Sequence, residues 1–147
     1  MNIILIEPAF PANQKQFVRA LASTGAHVLG IGERPYDWID AQTRSQLGGY
    51  QQISSVTDEA ALEWAVREAQ KIMWIDRLEA TVEAHILPAA HVRERTRDFS
   101  VTLRVTPPGE PPRHVRLRGQ GLRDAREQVL LLAGTAYDVS NEVAVSE

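Results

Sequence analysis

Six residues stand where strands run out into loops and carry side chains, or lack them, in ways that chemistry uses: Phe10, Gly32, Glu33, Arg34, Glu79 and Glu83. In an open parallel sheet, ligands gather beyond the carboxyl ends of the strands, where loops meet helix N-termini. Gly32 admits close approach of a ligand backbone or a phosphate, or serves only a turn. Arg34 has the planar fork that pairs bidentately with a carboxylate or phosphate, or is a solvated surface arginine. Glu79 and Glu83 lie four apart across a strand-to-helix junction and could line one crevice. Glu83 fits equally well as a first-turn acid favoured by the helix dipole.

Other chemistries are excluded by what is missing. Without cysteine there is no disulfide framework, thiol nucleophile or thiolate metal site. The histidines His27, His85, His91 and His114 are scattered and form neither an H-E-x-x-H pair nor a compact cluster, so no metal is expected. There is no G-x-S-x-G elbow and no Walker pattern. Where a dinucleotide fingerprint would sit, the chain has Pro8-Ala9-Phe10-Pro11-Ala12, and prolines supply no amides to cradle a pyrophosphate. No cofactor and no self-sufficient catalytic centre are therefore expected.

The elements that must position these residues are legible from periodicity. Ile3 to Ile6 is an uninterrupted aliphatic run, the signature of a strand covered on both faces. A helix follows from about Asn13, whose side chain is a candidate cap. Its stripe is Phe17, Val18, Leu21 and Ala22, and Gly25 ends it. His27 to Ile31 is a second strand, and Asp40 to Leu47 a short helix capped by Asp40. Tyr50 to Ser54 is a third strand. Thr57 or Asp58 caps a longer helix striped by Ala61, Leu62, Ala65, Ala69 and Ile72. A fourth strand lies within Ile75 to Val82, then a helix from His85 to Arg95 with Pro88 in its first turn. The fold class is α/β: a Rossmann-like, mainly parallel sheet of Ile3–Ile6, Val28–Ile31, Tyr50–Ser54 and Leu78–Val82 with flanking helices, the first strand interior.

The pattern changes near residue 98, which divides the chain into domains 1–98 and 99–147. Ser100 to Thr106 and Arg113 to Arg118 alternate polar and apolar residues around Pro107-Pro108-Gly109-Glu110-Pro111-Pro112, as an antiparallel hairpin would. A helix from Leu122 to Leu132 and a strand from Val139 to Val145 complete a small β-β-α-β tail. The apolar hairpin face of Val101, Leu103, Val105, Val115 and Leu117 needs a cover, and strand edges invite pairing. A homodimer joined through the tail is the expectation.

The 147 residues carry 16 basic and 19 acidic side chains, a formal charge of −3. Bulk attraction to nucleic acid or anionic membrane is disfavoured at that balance. The tail's six arginines are matched by six acids, and no aromatic adjoins them in the sequence to stack on bases, so nucleic acid is not an expected partner. The opening run is broken at Glu7 and Pro8, far short of a membrane span or signal core, and cytoplasmic residence is the default.

Residues 1 to about 96 resemble the Rossmann-like domain that precedes the ATP-grasp fold in carboxylate ligases of the ATP-grasp superfamily. The matching pieces are Pro8-Ala9-Phe10-Pro11, Val28-Leu29-Gly30-Ile31-Gly32 with Pro35-Tyr36-Asp37, Ile75-Asp76-Arg77-Leu78-Glu79, and Glu83 leading into Ala90-His91-Val92-Arg93. In such ligases the ATP-binding lysines, metal-binding carboxylates and phosphate-covering loop lie in the domains that follow. The tail from Phe99 departs from the family pattern. The resemblance implies a noncatalytic structural or protein-interaction module. Its alternative is one substrate wall of an ATP-dependent carboxylate–amine ligase whose ATP-grasp part is on a partner protein.

Overall fold

The structure, a computed structural model, describes residues 1–96, 98–123, 126 and 129–142. The chain divides into two compact units, Met1–Thr96 and Arg97–Glu147.

The first unit runs β1 (Asn2–Ile6), α1 (Gln14–Ser23), β2 (His27–Gly32), a 3-10 turn (Tyr36–Trp38), α2 (Ala41–Gln46), β3 (Gly49–Gln52), α3 (Glu59–Ile72), β4 (Arg77–Glu79) and α4 (Glu83–Arg95). All four strands are parallel, in the order β3-β2-β1-β4, so β1 is interior as its aliphatic continuity predicts. Alternate residues of β1 feed two cores. Ile4 and Ile6 join Ile31, Leu62, Val66, Leu78, Ala89 and Val92 on the α3 and α4 side. Leu5 meets Val18 and Val28 on the α1 side. Each fully buried aliphatic side chain contributes roughly 1.5–3 kcal/mol relative to exposure, which is why this layer holds without disulfides. β3 stops at Gln52 and β4 at Glu79, short of the Ser54 and Val82 expected. Ile53 and Val56 instead turn into the core.

Helix ends follow local chemistry. The Asp40 carboxylate accepts the Thr43 N–H at 2.9 Å, and that of Asp58 accepts from Ala60 and Ala61 at 3.0 and 3.2 Å. Asn13 does not cap α1: its backbone is already right-handed, and its side chain makes no bond to the first-turn amides. Gly25 closes α1 at φ 83°, as expected. Pro88 lies inside α4 rather than in its first turn, because the helix begins at Glu83, two residues before the expected start.

The second unit is an antiparallel sheet of β5 (Asp98–Val105), β6 (Arg113–Arg123) and β7 (Val129–Asp138), in that order. The β5–β6 hairpin is the expected one, with Leu103 opposite Val115 and Val105 opposite Arg113. The helix expected over Leu122–Leu132 is corrected: its ends belong to β6 and β7, where Leu122 pairs with Leu131 and Gly119 with Gly134. A leucine run is only a weak helix prior, and ladder pairing overrides it. A Cβ on Gly134 would stand 2.1 Å from the Arg118 carbonyl oxygen, so the strands meet there closer than any side chain allows. Of the expected strand Val139–Val145, Val139 lies just past the end of β7 with its N–H still donating to the His114 carbonyl at 2.8 Å, and residues 140–142 are helical; residues 143–145 lie outside the described residues. The protein is thus an α/β fold with a parallel four-stranded sheet flanked by helices and a small antiparallel tail. Among the described residues no helix is long and apolar enough to cross a membrane.

Candidate functional site

The carboxyl edge of β1 and β2 is built around Glu7. This residue ends the aliphatic strand in the left-handed region at φ 58°, a conformation that costs a non-glycine residue roughly 1–2 kcal/mol. Two hydrogen bonds hold it there. The Glu7 N–H donates to the Ile31 carbonyl at 2.7 Å, and its Oε2 accepts the Glu33 N–H at 3.2 Å. Glu7 is 4% exposed, and its Oε1 is buried without a partner. Burial pushes its carboxyl above the ordinary range, and the nearby Glu33 charge adds to this; the Glu33 N–H and the Arg34 charge oppose it.

Around this carboxyl the β2 exit is clamped. Glu33 Oε2 accepts the Val56 N–H at 3.1 Å, and the Gln52 amide donates to the Glu33 carbonyl at 3.1 Å. The Tyr50 hydroxyl donates to the Arg34 carbonyl at 2.6 Å. Burial, followed by the charges of Glu7 and Glu33, pushes the Tyr50 phenol up to about 12. The space above Gly32 is filled by Glu7 and Tyr50, so its missing side chain is a packing requirement. The Arg34 guanidinium lies 4.7 Å from the centre of the Phe10 ring. Beyond Tyr50 the series continues: its ring is 6.1 Å from that of Tyr36, over which the Arg44 guanidinium sits at 5.5 Å.

Two further buried polar atoms lie in the first turns of the helices that follow β1 and β4. Gln14, 1% exposed at the start of α1, accepts the Thr81 hydroxyl proton on Oε1 and leaves Nε2 unpartnered. His85, in the first turn of α4, has an unpartnered Nδ1. Burial lowers its imidazole below the ordinary range, with the Glu33 charge pulling the other way.

The structure therefore brings Phe10, Gly32, Glu33 and Arg34 together and leaves the other two candidates apart. Glu79 stands 3.8 Å from both Arg77 and Arg93. Glu83 is exposed in the first turn of α4, the position its helix-dipole reading assigns. Sequence reasoning missed Glu7, Gln14, Tyr50 and His85. Glu7 carried one available signal, a carboxylate directly abutting four aliphatic residues and followed by proline; Gln14 carried none. No group of three metal-binding side chains occurs among the described residues.

No protein-family model matches the chain, and no curated protein does. A solved structure similar to part of it is the PAS domain of a GGDEF family protein from Chromobacterium violaceum ATCC 12472, at 30% identity and a TM-score of 0.29. The match covers 38% of this chain and 58% of that one, less than two thirds of its length. At this TM-score the fold rests on the strand order itself.

Proposed function

We propose that residues 1–96 form a noncatalytic, pre-ATP-grasp-like module whose task is to present the carboxyl edge of its parallel sheet to another polypeptide. The supporting observation is how the ionisable groups of that edge are used. Glu7 holds the Glu33 amide, Glu33 holds the Val56 amide, and Tyr50 holds the Arg34 carbonyl. Carboxylates and a phenol engaged this way brace loops, and a general base needs its lone pair directed at a substrate proton. Lys15 and Lys71 sit on α1 and α3, with no glycine-rich phosphate loop beside them.

In this reading the protein works in the cytoplasm alongside an ATP-grasp protein partner and pairs with a second copy through its tail. The half-exposed Leu103 and Val105 of β5 support the pairing. Calorimetric titration with Mg-ATP tests the noncatalytic assignment. Millimolar or weaker affinity is expected, and micromolar affinity would overturn it.

The second reading, a substrate wall in a two-chain carboxylate–amine ligase, is favoured by the unpartnered Glu7 Oε1 at the end of β1 and the unpartnered Gln14 Nε2 and His85 Nδ1 at the starts of α1 and α4. Ligase activity that appears only on mixing with an ATP-grasp partner would select it.

A further inference from the structure

The aromatic and arginine side chains at the carboxyl edge form a continuous series that the bracing of the loops does not require. Phe10 carries the Arg34 guanidinium, the Arg34 carbonyl is anchored by Tyr50, the Tyr50 ring meets Tyr36, and Tyr36 carries the Arg44 guanidinium. Phe10 is 53% exposed and Trp38, at the end of the Tyr36–Trp38 turn, is 72% exposed. Rings this open add nothing to the core. Phe10 and Tyr36 each carry a guanidinium against the ring, which lowers the entropy lost when a partner binds the arginines.

The charges on this surface are under-used. Arg34 has no ion pair among the described residues, and Arg44 has a 3.7 Å contact with Asp37, whose side chain is 91% exposed. Aromatic and arginine side chains are also the residue types that carry most binding energy at protein interfaces.

From this we infer that the Phe10–Arg34–Tyr50–Tyr36–Arg44 series, with Trp38 at its end, is a docking surface for a partner-protein segment in which carboxylate side chains flank an apolar one. Carboxylates meet the two guanidiniums, and the apolar side chain packs against Trp38 or Phe10. This inference rests on the interaction-module reading and adds the partner's chemistry. A nucleic acid strand also fits alternating rings and guanidiniums. Here the continuous phosphate charge would face the exposed Glu33, Asp37 and Asp40, on a chain of net charge −3. A short acidic protein segment places its few charges only where the arginines are.

The test is a titration followed by tryptophan fluorescence and calorimetry, using the blocked peptide Ac-Glu-Leu-Glu-Glu-Leu-Glu-NH2, its Lys-for-Glu counterpart and oligo-dT as probes. Saturable binding of the glutamate peptide is expected, weakening as salt is raised. Arg34→Ala and Phe10→Ala should each weaken it about fivefold, the size of one partly exposed charged contact. Arg34→Lys, which keeps the charge and loses the planar fork, should fall between. Circular dichroism of each variant establishes that the fold is kept. Equal binding of the lysine peptide, tighter binding of oligo-dT, unchanged affinity in folded Arg34→Ala, or no binding of the glutamate peptide would each overturn the inference. None of these outcomes bears on the Mg-ATP titration, so the noncatalytic reading stands or falls separately.

Discussion

Glu7 and Tyr50 converge over Gly32: a Cβ there would lie 2.6 Å from both the Glu7 Oε1 and the Tyr50 hydroxyl oxygen. The two oxygens come from the end of one strand and the start of another, and the bare Cα between them lets both loops close. Gly32→Ala should therefore destabilise the protein by about 1–3 kcal/mol through overpacking. The check is the urea midpoint, with the slope unchanged. A midpoint equal to that of the parent would show that the neighbours give way freely.

Glu7 also predicts a pH dependence. Its folded-state pKa is raised, mainly by burial, so the folded state holds the proton more tightly than the unfolded chain. The resulting stabilisation is complete below the unfolded value of 4.5 and is lost as pH rises through the folded value. Ionised Glu7 thus costs stability at neutral pH. Glu7→Gln keeps an acceptor for the Glu33 N–H and removes the charge, so it should be at least as stable as the parent at pH 7. The difference in unfolding free energy between pH 5 and pH 7 should shrink in the variant; an undiminished difference would assign the effect to other groups.

A third prediction concerns the cross-link between α3 and α4. The Glu63 carboxylate accepts from Arg95 at 2.7 Å and from Arg67 at 3.1 Å, and Glu59 bonds both His91 and Arg95. For Glu63, partial burial is outweighed by the Arg95 and Arg67 hydrogen bonds, and its pKa is lowered. Glu63→Gln should cost about 0.5–1 kcal/mol at low salt, less at high salt because the groups are partly exposed. Thermal melts at two ionic strengths measure this, and a salt-independent loss would point to packing instead.

The tail carries the prediction of self-association. Sedimentation equilibrium at micromolar concentration should give a dimer for the full chain and a monomer for residues 1–96. Leu103→Lys should shift the full chain toward monomer. A full-length monomer would refute the pairing, and a truncated dimer would move the interface to the parallel layer.

How much of this was legible in the sequence depended on whether a segment's local pattern and its tertiary partner agreed. Ile3–Ile6 is apolar on both faces and is cut short by Glu7 and Pro8, the length and flank of a doubly covered strand rather than a buried helix, so the parallel sheet could be read directly. Asp40 and Asp58 announced their helices because capping is a local bond. Leu122–Leu132 has helical spacing and strand-like neighbours at once, and pairing with β6 decided it. Asn13 had the right side chain for a cap and the wrong backbone. At the site, Arg34 and Phe10 were readable as loop residues after strands, but their stacking was not. The hydrogen bond that buried Gln14 accepts comes from Thr81, far along the chain, and no local pattern encodes a contact of that range.

The interior place of β1 has a consequence for biosynthesis. Ile3 is hydrogen-bonded beside Val28 on one flank and Arg77 on the other. The most apolar segment of the parallel layer therefore leaves the ribosome well before its second neighbour exists. During that interval Ile3–Ile6 has one open flank and, until α3 and α4 are made, one uncovered face, the kind of exposed strand that chaperones hold and that aggregates recruit. Slowing translation between β2 and β4 should lengthen this interval and lower the soluble yield more than the same pause placed after Thr96.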